Sequence, residues 1–214
     1  MLRAVSMHTD ILKHNYRNLL YFGFIMLVQN LVGGIMNNAV LEAIRKRRSI
    51  IRFEATPIED EKIEAILEAG RWAPSWLNKQ PWRFLLITDH DIKEQVSNLV
   101  PTIYNLGVKE APVCIAVCAD PEEDPYHFIE DGAAATQNMT LAAQSLGLGS
   151  SWIGVFSLEA GKNTAEERIK GILKVPKRWR LISVMAIGVP KYHEEKERKP
   201  VSEIVRRDSF QRPL

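Results

Sequence analysis

Between residues 128 and 146 the chain places Gly132, Ala133, Ala134, Ala135, Ala142 and Ala143 in one run of helical character, about five turns long. A helix stripped of bulky side chains lets its neighbours approach closely, so this one is expected at the centre of the fold, with the remaining elements packed around it. Upstream, Val40, Ile44, Arg47 and Arg48 fit a short helix. Ile63, Ile66, Leu67 and Gly70 then recur at helical spacing after Thr56, Pro57 and the acidic turn Glu59, Asp60, Glu61, whose charges suit a helix N-terminus. Residues 84–87, 113–118 and 181–187 are short apolar runs that read as buried strands, while 91–99 and 166–173 read as further helices. Residues 191–199 are a charged surface segment. Helices and strands mixed without a regular βαβ repeat predict an α+β domain with a central sheet flanked by helices.

With 214 residues, 46% of them apolar, one compact domain is the default. A formal net charge of +2 gives no strong field for a polyanion, which argues against nucleic-acid binding and leaves any small anion to local clusters. The two cysteines, Cys114 and Cys118, lie four apart in an apolar run that as a strand points both to one face. Without a nearby His or further Cys they make a buried reduced pair and not a metal site.

Residues 1–36 form an extension of a different kind. Residues 19–36 carry no charge and follow Lys13 and Arg17, nearly a membrane span in length, although Gln29, Asn30 and the Gly33, Gly34 pair weaken that reading. Three readings stay open: a membrane anchor, an apolar helix packed on the domain or a partner, or an over-long start with Met36 as the true first residue. The last two together are favoured. The domain proper is expected over 37–214, in the cytoplasm or membrane-associated through 19–36.

Three segments carry chemistry. Arg47, Arg48 and Ser49 sit at a predicted helix end, where guanidinium forks, a hydroxyl and free backbone N–H groups can hold a phosphate; by itself such a run is more often a solvated helix face. Between a helix and a strand, Pro74, Ser75, Trp76, Leu77, Asn78, Lys79, Gln80, Pro81 and Trp82 combine stiff backbone with uncharged donors and acceptors, as binding loops do. After the central helix, Gly149, Ser150, Ser151, Trp152, Ile153 and Gly154 end on a glycine that lets a ligand approach the backbone. Asp131, His127 and Asn138 read as capping, packing or helix-internal groups.

Together these segments resemble the nitroreductase family of FMN-dependent oxidoreductases, over residues 38–210. The resemblance implies a nitroreductase-like fold and a homodimer. FMN would be held at its phosphate by Arg47, Arg48, Ser49 and the basic pair Lys196 and Arg198 ahead of Pro200. Pro74, Ser75, Asn78 and Gln80 would pack on the flavin across the dimer interface, and a backbone N–H of Gly154 or Val155 would face flavin N5. It implies hydride transfer from NADH or NADPH through FMN to an electron-poor small molecule such as a nitroaromatic or quinone, with no catalytic nucleophile and no metal. One departure stands out: relatives commonly carry a basic residue where this chain has Ile51, with Arg52 displaced by one and Lys109 a candidate substitute. Trp76 replaces a usually small residue and is expected to wall the substrate side. Same-fold alternatives are dehalogenation, flavin fragmentation and dehydrogenation. From another class, the chain could be a membrane-tethered flavin-binding protein with little turnover.

Overall fold

The computed structural model describes residues 38–159 and 163–212, so the expectation for residues 1–36 lies outside the described residues. These fall into two units, divided after Arg47. In the first, helix α1 (Ala39–Lys46) is capped by Asn38, whose side chain accepts the Leu41 N–H at 2.9 Å, and Arg47 closes it by donating its backbone N–H to Ala43.

The second unit runs α2 (Asp60–Arg71), a short 3-10 turn (Trp76–Asn78), β1 (Trp82–Ile87), α3 (His90–Ser97), α4 (Thr102–Glu110), β2 (Val113–Ala119), α5 (Phe128–Ser145), β3 (Gly149–Gly154), α6 (Ala165–Leu173), β4 (Arg180–Gly188) and α7 (Val201–Ile204). Two of its helices, α3 and α6, start at a side-chain cap, and α2 starts on acidic residues. Asp89 accepts the Ile92 N–H ahead of α3, Thr164 accepts that of Glu167 ahead of α6, and Asp60 and Glu61 lie against the positive end of α2.

The four strands form one antiparallel sheet in the order β1-β2-β4-β3. Strand alternation sends Val113, Ile115 and Val117 of β2 to one side, where they meet Ile63 and Ile66 of α2 and Met139 and Ala143 of α5. Cys114, Ala116 and Cys118 point to the other, against Val96 of α3, Val108 of α4 and Ile169 of α6. Both thiols are therefore buried, reduced and on one face, as the spacing predicts. With helices on both sides, β2 carries no exposed residue, and each fully buried Val or Ile contributes about 1.5–3 kcal/mol.

Gly70 and Gly132 mark close approaches of α2 and α5, and only the first serves a helix pair. A Cβ on Gly70 of α2 would stand 2.9 Å from Met139 Cγ, so this glycine sets the α2–α5 approach. Gly132 of α5 instead lies over β4, where a Cβ would come within 2.7 Å of Ile182 Cγ1. Ile182 is the extra residue of a β-bulge: Val117 faces Ser183 while Cys118 faces Leu181. The bulge brings Ile182 and Ser183 both to the α5 side, where the Ser183 and Thr136 hydroxyls bond at 2.8 Å. Among the described residues no helix is long and apolar enough to cross a membrane.

Candidate functional site

Residues 48–53 cross the end of the sheet and are held on both sides. The Ile50 N–H donates to the Ser150 carbonyl at 2.9 Å beside a parallel bridge between Ser49 and Ser150. Farther on, Phe53 bridges Pro190, the Glu54 N–H donates to Val189 at 2.9 Å, and the Lys191 N–H donates to Arg52 at 3.1 Å. Gly149 makes room for this crossing, since a Cβ there would stand 2.8 Å from Ile50 Cγ1 and 3.1 Å from Pro190. The crossing delivers Arg48 to the C-terminal basic segment: its Nε donates to the Glu194 carbonyl at 2.8 Å, across 146 residues of sequence. In that segment Lys196 pairs with the Glu194 carboxylate at 3.0 Å, and Arg198 donates to the Glu197 carbonyl at 3.0 Å. Arg48 is half-buried, while Ser49, Lys196 and Arg198 are exposed. Arg48, Ser49 and the two downstream cations are thus gathered by the fold, whereas Arg47 is placed with its own helix as the α1 cap.

The second piece is the loop 74–81. Leu77, Asn78 and Gln80 all have positive φ, at 47°, 57° and 52°. Asparagine tolerates this region, but Leu and Gln do so only at a cost of about 1–3 kcal/mol each, and such strain gathers at ligand-clamping segments. The fold overcomes it with specific bonds. Ser75 Oγ accepts the Gln80 N–H at 2.9 Å, the Asn78 N–H donates to the Ser75 carbonyl at 3.0 Å, and Gln80 Nε2 reaches the Asn78 carbonyl at 3.3 Å. Ser75 accordingly braces the loop from within, while Pro74, Asn78 and Gln80 are exposed. Asp131 on α5 accepts the Trp76 N–H at 3.2 Å, a role that the sequence pattern did not show. The Trp76 ring rests against His127 and Tyr126, with centroids 5.3 and 5.6 Å away. Trp82 is buried and stacks on Phe84, and so anchors the end of the loop in the core.

The third piece is the end of β3. Gly154 is exposed, and a Cβ on it would meet nothing within 4 Å, so the backbone there is bare to an approaching ring. Of the two expected donors, Val155 is occupied: its N–H goes to the Ile182 carbonyl at 3.4 Å. Gly154 is left. Just beyond, buried Glu166 accepts N–H groups from Ser157 and Leu181 and pairs with Arg180 at 2.7 Å. Burial pushes its carboxyl up, but Arg180 and the two N–H groups outweigh that and hold it below the usual range.

Strand β3 therefore starts beside Ser49 and ends at Gly154, about 14 Å apart at ~3.4 Å per residue. Helix α5 holds the other parts, through Asp131 to the loop and through Thr136 to Ser183, the residue that faces Gly154 across the sheet. A bare glycine backbone, a strained polar loop and a gathered set of cations fit a flat, phosphate-bearing ligand. Ile51 is half-buried against the backbone of Gly107, and the two cations considered in its stead are engaged elsewhere: Arg52 with Glu110 at 3.0 Å, and Lys109 with Glu94. Asn138 donates to the Ala69 carbonyl of α2 at 3.1 Å and is a packing group between helices.

Comparison with known proteins adds a relationship to this geometry. The model of the nitroreductase family matches residues 44–103 and 99–189. A protein of Methanothermobacter thermautotrophicus named as an NADH dehydrogenase/NAD(P)H nitroreductase is 36% identical over 160 residues, which are 74% of this chain and 81% of that protein. Among solved structures, one of the same name from Parabacteroides distasonis superposes with a TM-score of 0.75 at 29% identity, covering 81% of this chain and 100% of the other. A nitroreductase in complex with FMN from Desulfovibrio desulfuricans superposes at 0.69 with 34% identity, covering 81% and 99%.

Proposed function

Since this chain belongs to the nitroreductase family, we propose that it is an FMN-dependent oxidoreductase that uses NADH or NADPH to reduce an electron-poor small molecule such as a nitroaromatic or quinone. The observation that carries this reading is the Arg48 contact with Glu194, which joins two basic segments 146 residues apart into one anion-holding cluster beside the start of β3. When bound, FMN supplies the chemistry: it takes a hydride from the nicotinamide and gives it to the acceptor. The chain holds and orients. Arg48, Ser49, Lys196 and Arg198 take the phosphate. Gly154 presents backbone to the ring, and Pro74, Asn78 and Gln80 frame its polar edge. Since those three lie exposed on their own chain, a second copy in a homodimer is the partner that brings them to the flavin.

The test is an absorbance spectrum of the purified full chain supplied with FMN, before and after NADH or NADPH without oxygen. A flavin spectrum that bleaches with one nucleotide supports the reading and names the donor. A chain that takes up no FMN overturns it.

A further inference from the structure

Five buried polar side-chain atoms lack a hydrogen-bond partner among the described residues, and four lie in or beside the 120–127 turn: Asp120 Oδ2, Asp124 Oδ2, His127 Nδ1 and Asp131 Oδ2. Asp120 is answered by Arg178, 3.1 Å away. The other three form a group of their own. The Asp124 and Asp131 carboxyls act on each other's titration, and His127 stands 3.8 Å from Asp124 Oδ1. Two facing carboxyls satisfy their free oxygens by sharing a proton. Their remaining oxygens are used: Asp124 Oδ1 accepts the N–H groups of Tyr126 and His127 at 3.0 Å each, and Asp131 Oδ1 accepts that of Trp76. The donor, Trp76, lies immediately before the left-handed residues Leu77, Asn78 and Gln80, and its indole is backed by His127 and Tyr126.

We propose that Asp131 is the positioning residue of the loop 74–81: by accepting the Trp76 backbone N–H from its buried place on α5, it fixes the indole as a wall that limits the size of the acceptor. The limit on acceptor size rests on the proposed function; the hold on the loop does not. Asp131 is faced by Asp124 and His127 from the turn and by the uncharged Trp76 N–H from the loop, while Glu130, next to it on α5, is exposed. Arg178 is engaged with Asp120 and Glu122.

Asparagine at 131 can accept from Trp76 and donate to Asp124, as the protonated acid does; alanine can do neither. Hydrogen exchange of the full chain, without flavin, is therefore measured in wild type, Asp131→Asn and Asp131→Ala. The peptide covering 74–81 should exchange at least 10-fold faster in Asp131→Ala, with the peptides of β2 and β4 unchanged, while Asp131→Asn stays within about twofold of wild type. Equal exchange in all three, or Asn behaving like Ala, overturns the proposal. Where Asp131→Ala does not fold, the pH dependence decides. An ionised carboxylate is the stronger acceptor, so protection of 74–81, corrected for intrinsic rates, should rise through about pH 6 in wild type and stay flat in Asp131→Asn. A flat wild-type profile overturns the proposal. With FMN bound, Asp131→Ala should raise kcat/KM for a two-ring naphthoquinone over a one-ring benzoquinone at least fivefold, and Asp131→Asn should not. An unchanged ratio overturns the wall. A chain that takes no FMN overturns the proposed function instead, and the exchange experiment still decides the hold on the loop.

Discussion

Arg48 and Arg198 both meet backbone carbonyls of the segment 194–197, which places two guanidinium charges at one segment. Replacing either by alanine removes a charge-assisted contact of about 1.5–3 kcal/mol, so FMN affinity should fall about 10- to 150-fold in a fluorescence titration. Asp131 bears on stability. Burial, aided by the Asp124 carboxyl and opposed by the Trp76 N–H, pushes it up to about 6, against about 3.9 in an unfolded chain. The folded state thus binds this proton more tightly. The stability it lends is present in full below about pH 4 and lost as the pH rises through about 6. Asp124 has the opposite sign. Burial pushes it up, but the N–H groups of Tyr126 and His127 and the Asp131 carboxyl outweigh this and hold it low, so its contribution is present above about pH 4 and lost as the pH falls. Asp131→Asn should be at least as stable as wild type at pH 7. It should also flatten the dependence of the urea midpoint between pH 4 and 6.

Among the elements, the crossing 48–53 depends on a residue that bears no polar side chain. Gly149→Ala would drive a methyl group into Ile50 and Pro190, an overpacking worth about 1–3 kcal/mol. Because the same crossing carries Arg48 and Ser49, the variant should also bind FMN more weakly, which paired denaturation and titration curves would show. Segments with a strong local period were readable in the sequence: α2, α5, α6 and the strands β1, β2 and β4 lie where the apolar spacing puts them. Helix α4 was not, since Pro101, Gly107 and a lone lysine give its nine residues little helical signal, and its place is set by packing against α3 and the Ile51 backbone. The bulge at Ile182 and the left-handed run at Leu77 are likewise products of tertiary context. So is the Asp131 bond to Trp76, which joins residues 55 apart and leaves no local pattern to find.

For the whole molecule, Trp72, Leu77, Ile103 and Phe210 are each more than 60% exposed, apolar surface that a second copy would cover. Sedimentation should find a species of twice the 24.3 kDa chain mass, and flavin should be released on dilution as that species dissociates. The middle strand of the sheet has a chemical consequence as well. Quinones and partly reduced nitroaromatics are electrophiles that add to thiolates. The only two thiols of this sequence lie in β2, where burial pushes Cys114 and Cys118 each up to about 12, so roughly one in 10⁵ is ionised at pH 7. The native protein should accordingly take up no iodoacetamide. For an acceptor of the proposed class the native chain presents no ionised sulfur to alkylate, and modification of Cys114 or Cys118 waits on unfolding.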